Sequence, residues 1–275
     1  MRVLVTGAAG MLGRDVVAHL EGRHEVTAVD LDVDVTDPAA VLACAREVRP
    51  AAILHLAAWT DVDGAEDRED AARAVNEDGC ANVAAAAKDV GAALVVPSTD
   101  YVFDGARGSG YAEDDEPSPL GAYGRTKLAG ERAALAGHPE GTRIARTAWL
   151  YGASGKNFVD TMRRLGGEMD EVSVVDDQVG SPTWTRDLAP ALEDLVSRPP
   201  GVYHTAGGGA VSWAGFAEAV FEEGGIDCRV RRITTAELGR PAPRPAYSPL
   251  VVTRAEAPRL RPWREALHDY MKEAR

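Results

Sequence analysis

Cysteine is scarce in this sequence, and so is any pattern that would bind a metal. The three cysteines, Cys44, Cys80 and Cys228, are odd in number and widely spaced, with no C-x-x-C pair. That argues for reduced thiols in a cytoplasm and against a disulfide framework or a zinc site. The six histidines form no H-x-x-H or H-E-x-x-H spacing, so no metal is expected. No apolar run approaches the ~18 residues that cross a bilayer. The N-terminal apolar run is too short for a signal peptide, lacks a cleavage region and reads as a strand. Positive charge is the minority: 30 Lys and Arg stand against 43 Asp and Glu, a net charge of −13. General binding to nucleic acid or to an anionic membrane is therefore not expected. An anionic ligand would have to be held by local N–H groups and a few arginines against the overall field. At 275 residues the chain can form one large or two modest domains with a sizeable core. It has no internal repeats and no low-complexity tail.

What is present is organised around residues 2–13. Arg2-Val3-Leu4-Val5-Thr6 is a short aliphatic run, the mark of a buried parallel strand. It breaks at Gly7, and an apolar helical pattern follows from Met11 to Leu20. A glycine-rich turn from strand to helix leaves backbone N–H groups at a helix N-terminus, where a pyrophosphate can bind. The spacing is Gly7-x-x-Gly10-x-x-Gly13 rather than G-x-G-x-x-G, and a ligand-free βα turn is the alternative. Residues 25–30 read as a second strand ending in Asp30. An acid about 20 residues past such a turn accepts hydrogen bonds from an adenosine ribose and repels a 2′-phosphate, which favours NAD(H) over NADP(H). Asp30 could equally be a solvated loop residue, since Asp32, Asp34 and Asp37 crowd the same segment. Asp34 and Val35 could flank the adenine. Thr36-Asp37-Pro38 is an N-cap signal opening a helix to about Val48.

Residues 51–56 form a third strand, followed by the small residues Ala57 and Ala58 and then Thr60; small residues there let backbone approach a ligand closely. An alanine-rich helix is expected from about Ala65 to Asp89, broken near Gly79. A fourth strand at 92–96 delivers Thr99, Asp100 and Tyr101 to the sheet edge. This strand–helix alternation predicts an α/β fold, a doubly wound Rossmann-type parallel sheet with right-handed crossovers and ligands beyond the carboxyl ends of the strands. Residues 105–121 lack periodicity, and Glu113-Asp114-Asp115-Glu116 reads as a solvated loop, with a lid as the lesser reading. Strand five and its exit loop cover 142–152; Trp149 there is either a core aromatic or a platform for a sugar or base. Later elements are a helix after Asn157, a strand at 172–175, a helix at 185–196, a last sheet strand at 202–206, a helix capped by Ser212, a short strand at 228–233 and a terminal helix from Pro262. The expected division is a dinucleotide-binding domain over 1–150 and a smaller, interleaved, mainly substrate-binding lobe over 151–275, with about 176–206 returning to the first. Pro241-Ala242-Pro243-Arg244-Pro245 is a stiff segment whose Arg244 meets a phosphate or merely caps a surface loop.

Tyr123 and Lys127 are four residues apart on a predicted helix and so share a face. A free phenol with a pKa near 10 is a poor acid at neutral pH. A nearby ammonium would favour the phenolate and bring the phenol into working range. With the glycine turn and the Thr99 hydroxyl, this pair is the best candidate site in the chain.

Taken together, Thr6-Gly-x-x-Gly-x-x-Gly13, Thr99 and Tyr123-x-x-x-Lys127 resemble the extended short-chain dehydrogenase/reductase superfamily. Within it, residues 98–105 (STDYVFDG), 123–131 (YGRTKLAGE), Asn157-Phe158, 177–183 (DQVGSPT) and Arg244-Pro245 with Ser248 and Leu250 resemble the dTDP-4-dehydrorhamnose reductase family over nearly the whole chain. The resemblance implies hydride transfer from NADPH or NADH to C4 of dTDP-4-dehydro-L-rhamnose, giving dTDP-L-rhamnose. It implies that Tyr123 donates a proton to the nascent C4 alkoxide, that Lys127 holds the nicotinamide ribose and lowers the Tyr123 pKa, and that Thr99 hydrogen-bonds the reacting oxygen. Asp100, Tyr101 and Trp149 would contact the sugar. Gly7, Gly10, Met11, Leu12, Gly13, Asp30, Asp34, Val35, Ala57, Ala58 and Thr60 would line the cofactor. Gln178, Pro182 and Arg244 would lie toward the nucleotide end. A small-molecule partner, a cytoplasmic location and a monomer or homodimer follow. The chain is slightly short for the family, so its substrate lobe would be trimmed. Some relatives dimerise through acidic residues and magnesium, for which no equivalents stand out. The competing readings are a ketoreductase of another deoxysugar nucleotide, a dehydratase or epimerase, and a non-catalytic binding subunit. Asp100-Tyr101, where dehydratases carry Asp-Glu, argues against dehydration.

Overall fold

In the computed structural model, residues 1–273 are described; Ala274 and Arg275, the end of the expected second lobe, lie outside the described residues. The first βαβ unit runs β1 (Arg2–Thr6), α1 (Met11–Leu20), β2 (Glu25–Val29), α2 (Pro38–Val48) and β3 (Ala52–His55). Asp37 caps α2 by accepting from the Ala39 and Ala40 N–H groups, with Pro38 preset for the first helical position. Next come α3 (Val62–Asp67), α4 (Glu69–Arg73), a π-turn (Ala74–Asp78), α5 (Gly79–Val90), β4 (Ala93–Thr99), a 3₁₀ turn (Asp100–Val102), α6 (Ala122–Gly137) and β5 (Thr142–Thr147). Then follow β6 (Leu150–Tyr151), α7 (Phe158–Glu168), β7 (Glu171–Val175), β8 (Val179–Gly180), β9 (Thr183–Trp184), α8 (Thr185–Leu195) and β10 (Gly201–His204). The chain closes with β11 (Val211–Ser212), α9 (Trp213–Gly224), β12 (Arg229–Ile233), α10 (Thr235–Leu238) and α11 (Trp263–Glu273).

Six strands form one all-parallel sheet in the order β10-β5-β4-β3-β1-β2. The winding direction reverses at β1, between β2 on one side and β3 on the other. A ligand crevice opens beyond the carboxyl ends of the strands at such a reversal. The strands are aliphatic and buried on both faces: Leu4, Ile53, Leu94 and Ile144 face one helical layer, Val3, Val5, Leu54 and Val95 the other. The α8 helix packs on α1, and β10 pairs with β5, so residues 185–204 complete this layer rather than the distal one. The distal core gathers Tyr151, Phe216, Val172 and Tyr270 where α7, α9 and α11 surround the parallel β7–β12 pair.

Two local expectations are corrected. The single helix expected over 65–89 is interrupted at Arg68, whose φ of −135° is not helical, and again by the π-turn, both ahead of Gly79. The π-turn places Asn76 inward, where its amide accepts from Trp59 N–H (2.9 Å) and donates to the Thr126 hydroxyl (3.0 Å). Such insertions trade a helical hydrogen bond for a side-chain one. The acidic run at 113–116 is not all solvated. Glu113 is 4 % exposed and takes the Thr253 N–H (3.0 Å), while Asp115 pairs with Arg107.

Candidate active site

A cleft of about 1090 Å³ runs along the carboxyl edge of the sheet. At one end it is built from backbone. Gly7 has φ +66°, and a Cβ there would lie 2.5 Å from Ala57 N, so the turn after β1 rests directly on the chain leaving β3. A Cβ on Gly13 would lie 2.2 Å from Gly7 O; only glycine lets α1 approach its own entry turn so closely. Gly10 is the N-cap, and the first turn of α1 carries no acidic residue, leaving its N–H groups as the local positive pole. Asp30 is not a free loop residue. Its carboxylate accepts from Ala9 N (2.8 Å) and Leu31 N (3.0 Å), tying the glycine turn to the end of β2. Asp34 is held below the usual carboxylate range by the Thr36 hydroxyl and N–H.

At the other end the cleft is built from side chains. Thr99 ends β4; its hydroxyl accepts from Tyr101 N and donates to Asp100, both at 3.2 Å. Asp100 is 1 % exposed and receives the Ser248 hydroxyl at 2.6 Å. Burial nonetheless pushes its carboxyl up to about 7. Tyr123 and Lys127 both line the cleft from α6, and Tyr101 meets the Tyr123 ring edge-on with centroids 5.8 Å apart. The electrostatics differ from the expectation that Lys127 lowers the Tyr123 pKa. Burial pushes the Tyr123 phenol up to about 12; the Asp100 charge adds to this, and hydrogen bonding to Thr99 opposes it. Lys127 is itself pulled below the usual lysine range by burial, and its ammonium donates to the Pro97 carbonyl at 2.9 Å. Desolvation is the largest influence on both groups.

Of the residues singled out in the sequence, Gly7, Gly10, Met11, Leu12, Gly13, Asp30, Asp34, Val35, Ala57, Ala58, Thr60, Thr99, Asp100, Tyr101, Tyr123, Lys127 and Trp149 line this one cleft. Gln178, Pro182 and Arg244 lie outside its lining, and Arg244 reaches it through Tyr101. Gln178 is buried and donates to the Thr235 hydroxyl (2.9 Å). The Pro182 carbonyl faces Gly207, where a Cβ would come within 2.1 Å. The Arg244 guanidinium donates to Asp63 (3.0 Å) and to the Ala242 carbonyl (2.8 Å), behind Tyr101. Their polar groups hold the C-terminal segments in place. Trp149 bridges the distal core and the cleft, with φ +49° and its indole stacked on Trp213 at 3.5 Å and 4°.

The sequence reading missed Trp213, His55, Ser98, Thr147 and Lys156, all of which line the cleft. His55, Ser98 and Thr147 sit at strand carboxyl ends, and that rule alone would have flagged them. Trp213 follows a helix cap far along the chain, and no local spacing marks it. Burial pulls His55 down to about 3, so its imidazole is neutral, bonded through Nδ1 to the Thr6 hydroxyl. Among the described residues five buried side-chain polar atoms lack a partner, and three belong to cleft residues: His55 Nε2, Ser98 Oγ and Thr147 Oγ1. Unpaired buried polar groups cost about 1–3 kcal/mol each, and their concentration here is a mark of a polar ligand site. With the glycine cradle, this donor set fits a nicotinamide dinucleotide. No group of three or more His, Cys, Asp or Glu side chains among the described residues is placed to hold a metal ion. Nor is any helix among them long and apolar enough to cross a membrane.

A family model described as the RmlD substrate binding domain matches residues 1–275. The chain belongs to this family. A dTDP-4-dehydrorhamnose reductase of Streptomyces griseus is 48 % identical over 97 % of this chain and 91 % of its own length. A dTDP-4-keto-6-deoxy-D-glucose reductase of Streptomyces niveus is 46 % identical over 90 % of this chain and 88 % of its own. The crystal structure of a dTDP-4-dehydrorhamnose reductase from Bacillus anthracis in complex with NADP is 40 % identical and covers 99 % of both chains with a TM-score of 0.96. The RmlD family match thus spans both cores of this chain, with the expected Rossmann-type sheet.

Proposed function

We propose that this protein is an NADPH- or NADH-dependent reductase of the C4 ketone of dTDP-4-dehydro-L-rhamnose, forming dTDP-L-rhamnose. The observation that carries the reading is the meeting, in one cleft, of a backbone cradle for a dinucleotide and a buried Tyr123–Lys127–Thr99 group. The names of the relatives supply the sugar. When bound, the reduced nicotinamide supplies a hydride to the ketone carbon.

The chain's own part is to orient the ketone and manage one proton. Thr99 holds the carbonyl oxygen, and Tyr123 donates its phenolic proton to that oxygen as negative charge develops there. A phenol raised to about 12 stays protonated at neutral pH, which suits a donor, and it remains far more acidic than the alcohol formed. The site accordingly works as an acid in the reducing direction without a phenolate in the resting state. Lys127, fixed on the Pro97 carbonyl, presents its remaining N–H bonds toward the nicotinamide ribose. Asp100, Tyr101 and Trp149 bound the sugar. Asp30 takes ribose hydroxyls with its free lone pairs, and Met11 to Gly13, in the first turn of α1, present N–H groups to the diphosphate. Residues 1–150 form the dinucleotide-binding part and 151–275 the mainly substrate-binding lobe, with about 176–206 returning to the first. The free thiols support a cytoplasmic location, and the charge of −13 supports a protein that does not bind nucleic acid, as a monomer or homodimer of the kind the family resemblance implies.

The identity of the deoxysugar is the finer point, since the S. niveus relative is named for a different dTDP-4-keto-6-deoxy sugar. The test is the loss of reduced-nicotinamide absorbance with NADPH and NADH separately, on dTDP-4-dehydro-L-rhamnose and on dTDP-4-keto-6-deoxy-D-glucose. Oxidation dependent on the rhamnose precursor supports the reading. Oxidation with the glucose derivative alone would transfer the protein to the second substrate.

A further inference from the structure

The proposed dinucleotide brings a diphosphate into a cleft whose walls already carry Asp30, Asp34 and Asp100. The α1 N-terminus offers N–H groups but only partial charge. No arginine lines the cleft, and its two lysines differ sharply. Lys127 is 7 % exposed and bonded to the Pro97 carbonyl, deep on the floor. Lys156 is exposed and, among the described residues, makes no hydrogen bond or ion pair. Among the described residues, ion pairs engage most of the arginines, so a cation left free at the mouth of an anion-binding cleft stands apart.

The loop that carries Lys156 is set against the diphosphate end. A Cβ on Gly152 would lie 3.3 Å from Met11 Cγ, and one on Gly155 would lie 3.8 Å from Met11 Cβ, so the loop passes beside the first residue of α1. Gly155 has φ +86°, a turn other residues rarely make, and Lys156, which follows it, lines the cleft. Both ends are pinned by Asn157. Its amide donates to the Gly152 carbonyl at 2.8 Å, and its oxygen caps α7 by accepting from Asp160 N at 3.0 Å. The loop is thus closed into a short clasp, with Lys156 held next to its pinned end at Asn157.

We infer that Lys156 is a cofactor-binding residue whose ammonium pairs with the dinucleotide diphosphate at the α1 N-terminus, an inference that rests on the function proposed above. It supplies the full positive charge that the backbone cradle lacks. A charge-assisted contact of this kind is worth about tenfold in affinity.

The test is equilibrium titration of wild type, Lys156→Gln and Lys156→Arg with NADPH, followed by nicotinamide fluorescence, and with dTDP, followed by calorimetry. Lys156→Gln should raise the NADPH Kd about tenfold and flatten its salt dependence, with Lys156→Arg restoring most of both. The dTDP Kd should not move. An unchanged NADPH Kd in Lys156→Gln would return Lys156 to an ordinary surface residue. A weaker dTDP Kd with normal NADPH binding would give it to the substrate and equally overturn the inference. Wild-type protein that binds no NADPH at all would remove the functional reading itself, and this inference with it.

Discussion

The two ends of the cleft are made of different material. The dinucleotide end consists of backbone from three neighbouring turns, after β1, β2 and β3, and its shape depends on glycines that leave no room for a Cβ. The end proposed for the sugar consists of side chains from β4, α6, the loop after β5 and α9, held by partners as distant as Ser248. One end owes its chemistry to the absence of atoms and carries almost no titratable cost. The other buries a carboxyl, a phenol and an ammonium together and bears the desolvation of all three.

Breaking the backbone end should have the larger effect. Gly13→Ala forces a methyl to within 2.2 Å of the Gly7 carbonyl, and neither partner is a flexible side chain. The NADPH Kd should rise by roughly a hundredfold or more, with catalysis lost alongside it. An affinity within a few-fold of wild type by fluorescence titration would mean that the cradle is not what holds the cofactor.

The side-chain end should show itself instead in the response to pH, with a smaller effect. Asp100 sits near 7 in the fold against an ordinary 3.8. A carboxyl raised by folding binds its proton more tightly in the native state than in the unfolded one. Stability therefore falls as pH rises from about 4 to about 7 and is level above that. Asp100→Asn removes the titration, so its melting temperature relative to wild type should be higher near pH 8 than near pH 5, by a few degrees. The same difference at both values would show that Asp100 is not neutralised by its surroundings.

The contrast also governs what could be read from the sequence. The glycine turn, Asp30, Ala57 and Ala58 are local signals, because each element of a βαβ unit carries its own spacing. All six strands of the sheet were legible for the same reason, as was Tyr123 with Lys127 one turn away on a single helix. Trp213, by contrast, stacks on Trp149 where β11, the strand just before it, pairs with the distant β8, and nothing near it in the chain announces that. Gln178, Pro182 and Arg244 sit in recognisable motifs, but the partners of Gln178 and Arg244, Thr235 and Asp63, are far away in the chain and no local spacing announces them. The direction of the Tyr123 shift was misjudged because spacing shows which charges are near and not how much water has been removed. Burial decides that term, and burial is a property of the whole fold.

The account stands on the separation of these two ends, with Tyr123 as the proton donor at the second. The most direct test is to measure NADPH affinity and turnover on the same preparation of Tyr123→Phe. The variant should bind NADPH as wild type does and turn over at least about a hundredfold more slowly. Turnover near the wild-type rate would contradict the assignment of Tyr123 and, with it, the division of the cleft into a binding end and a chemical end.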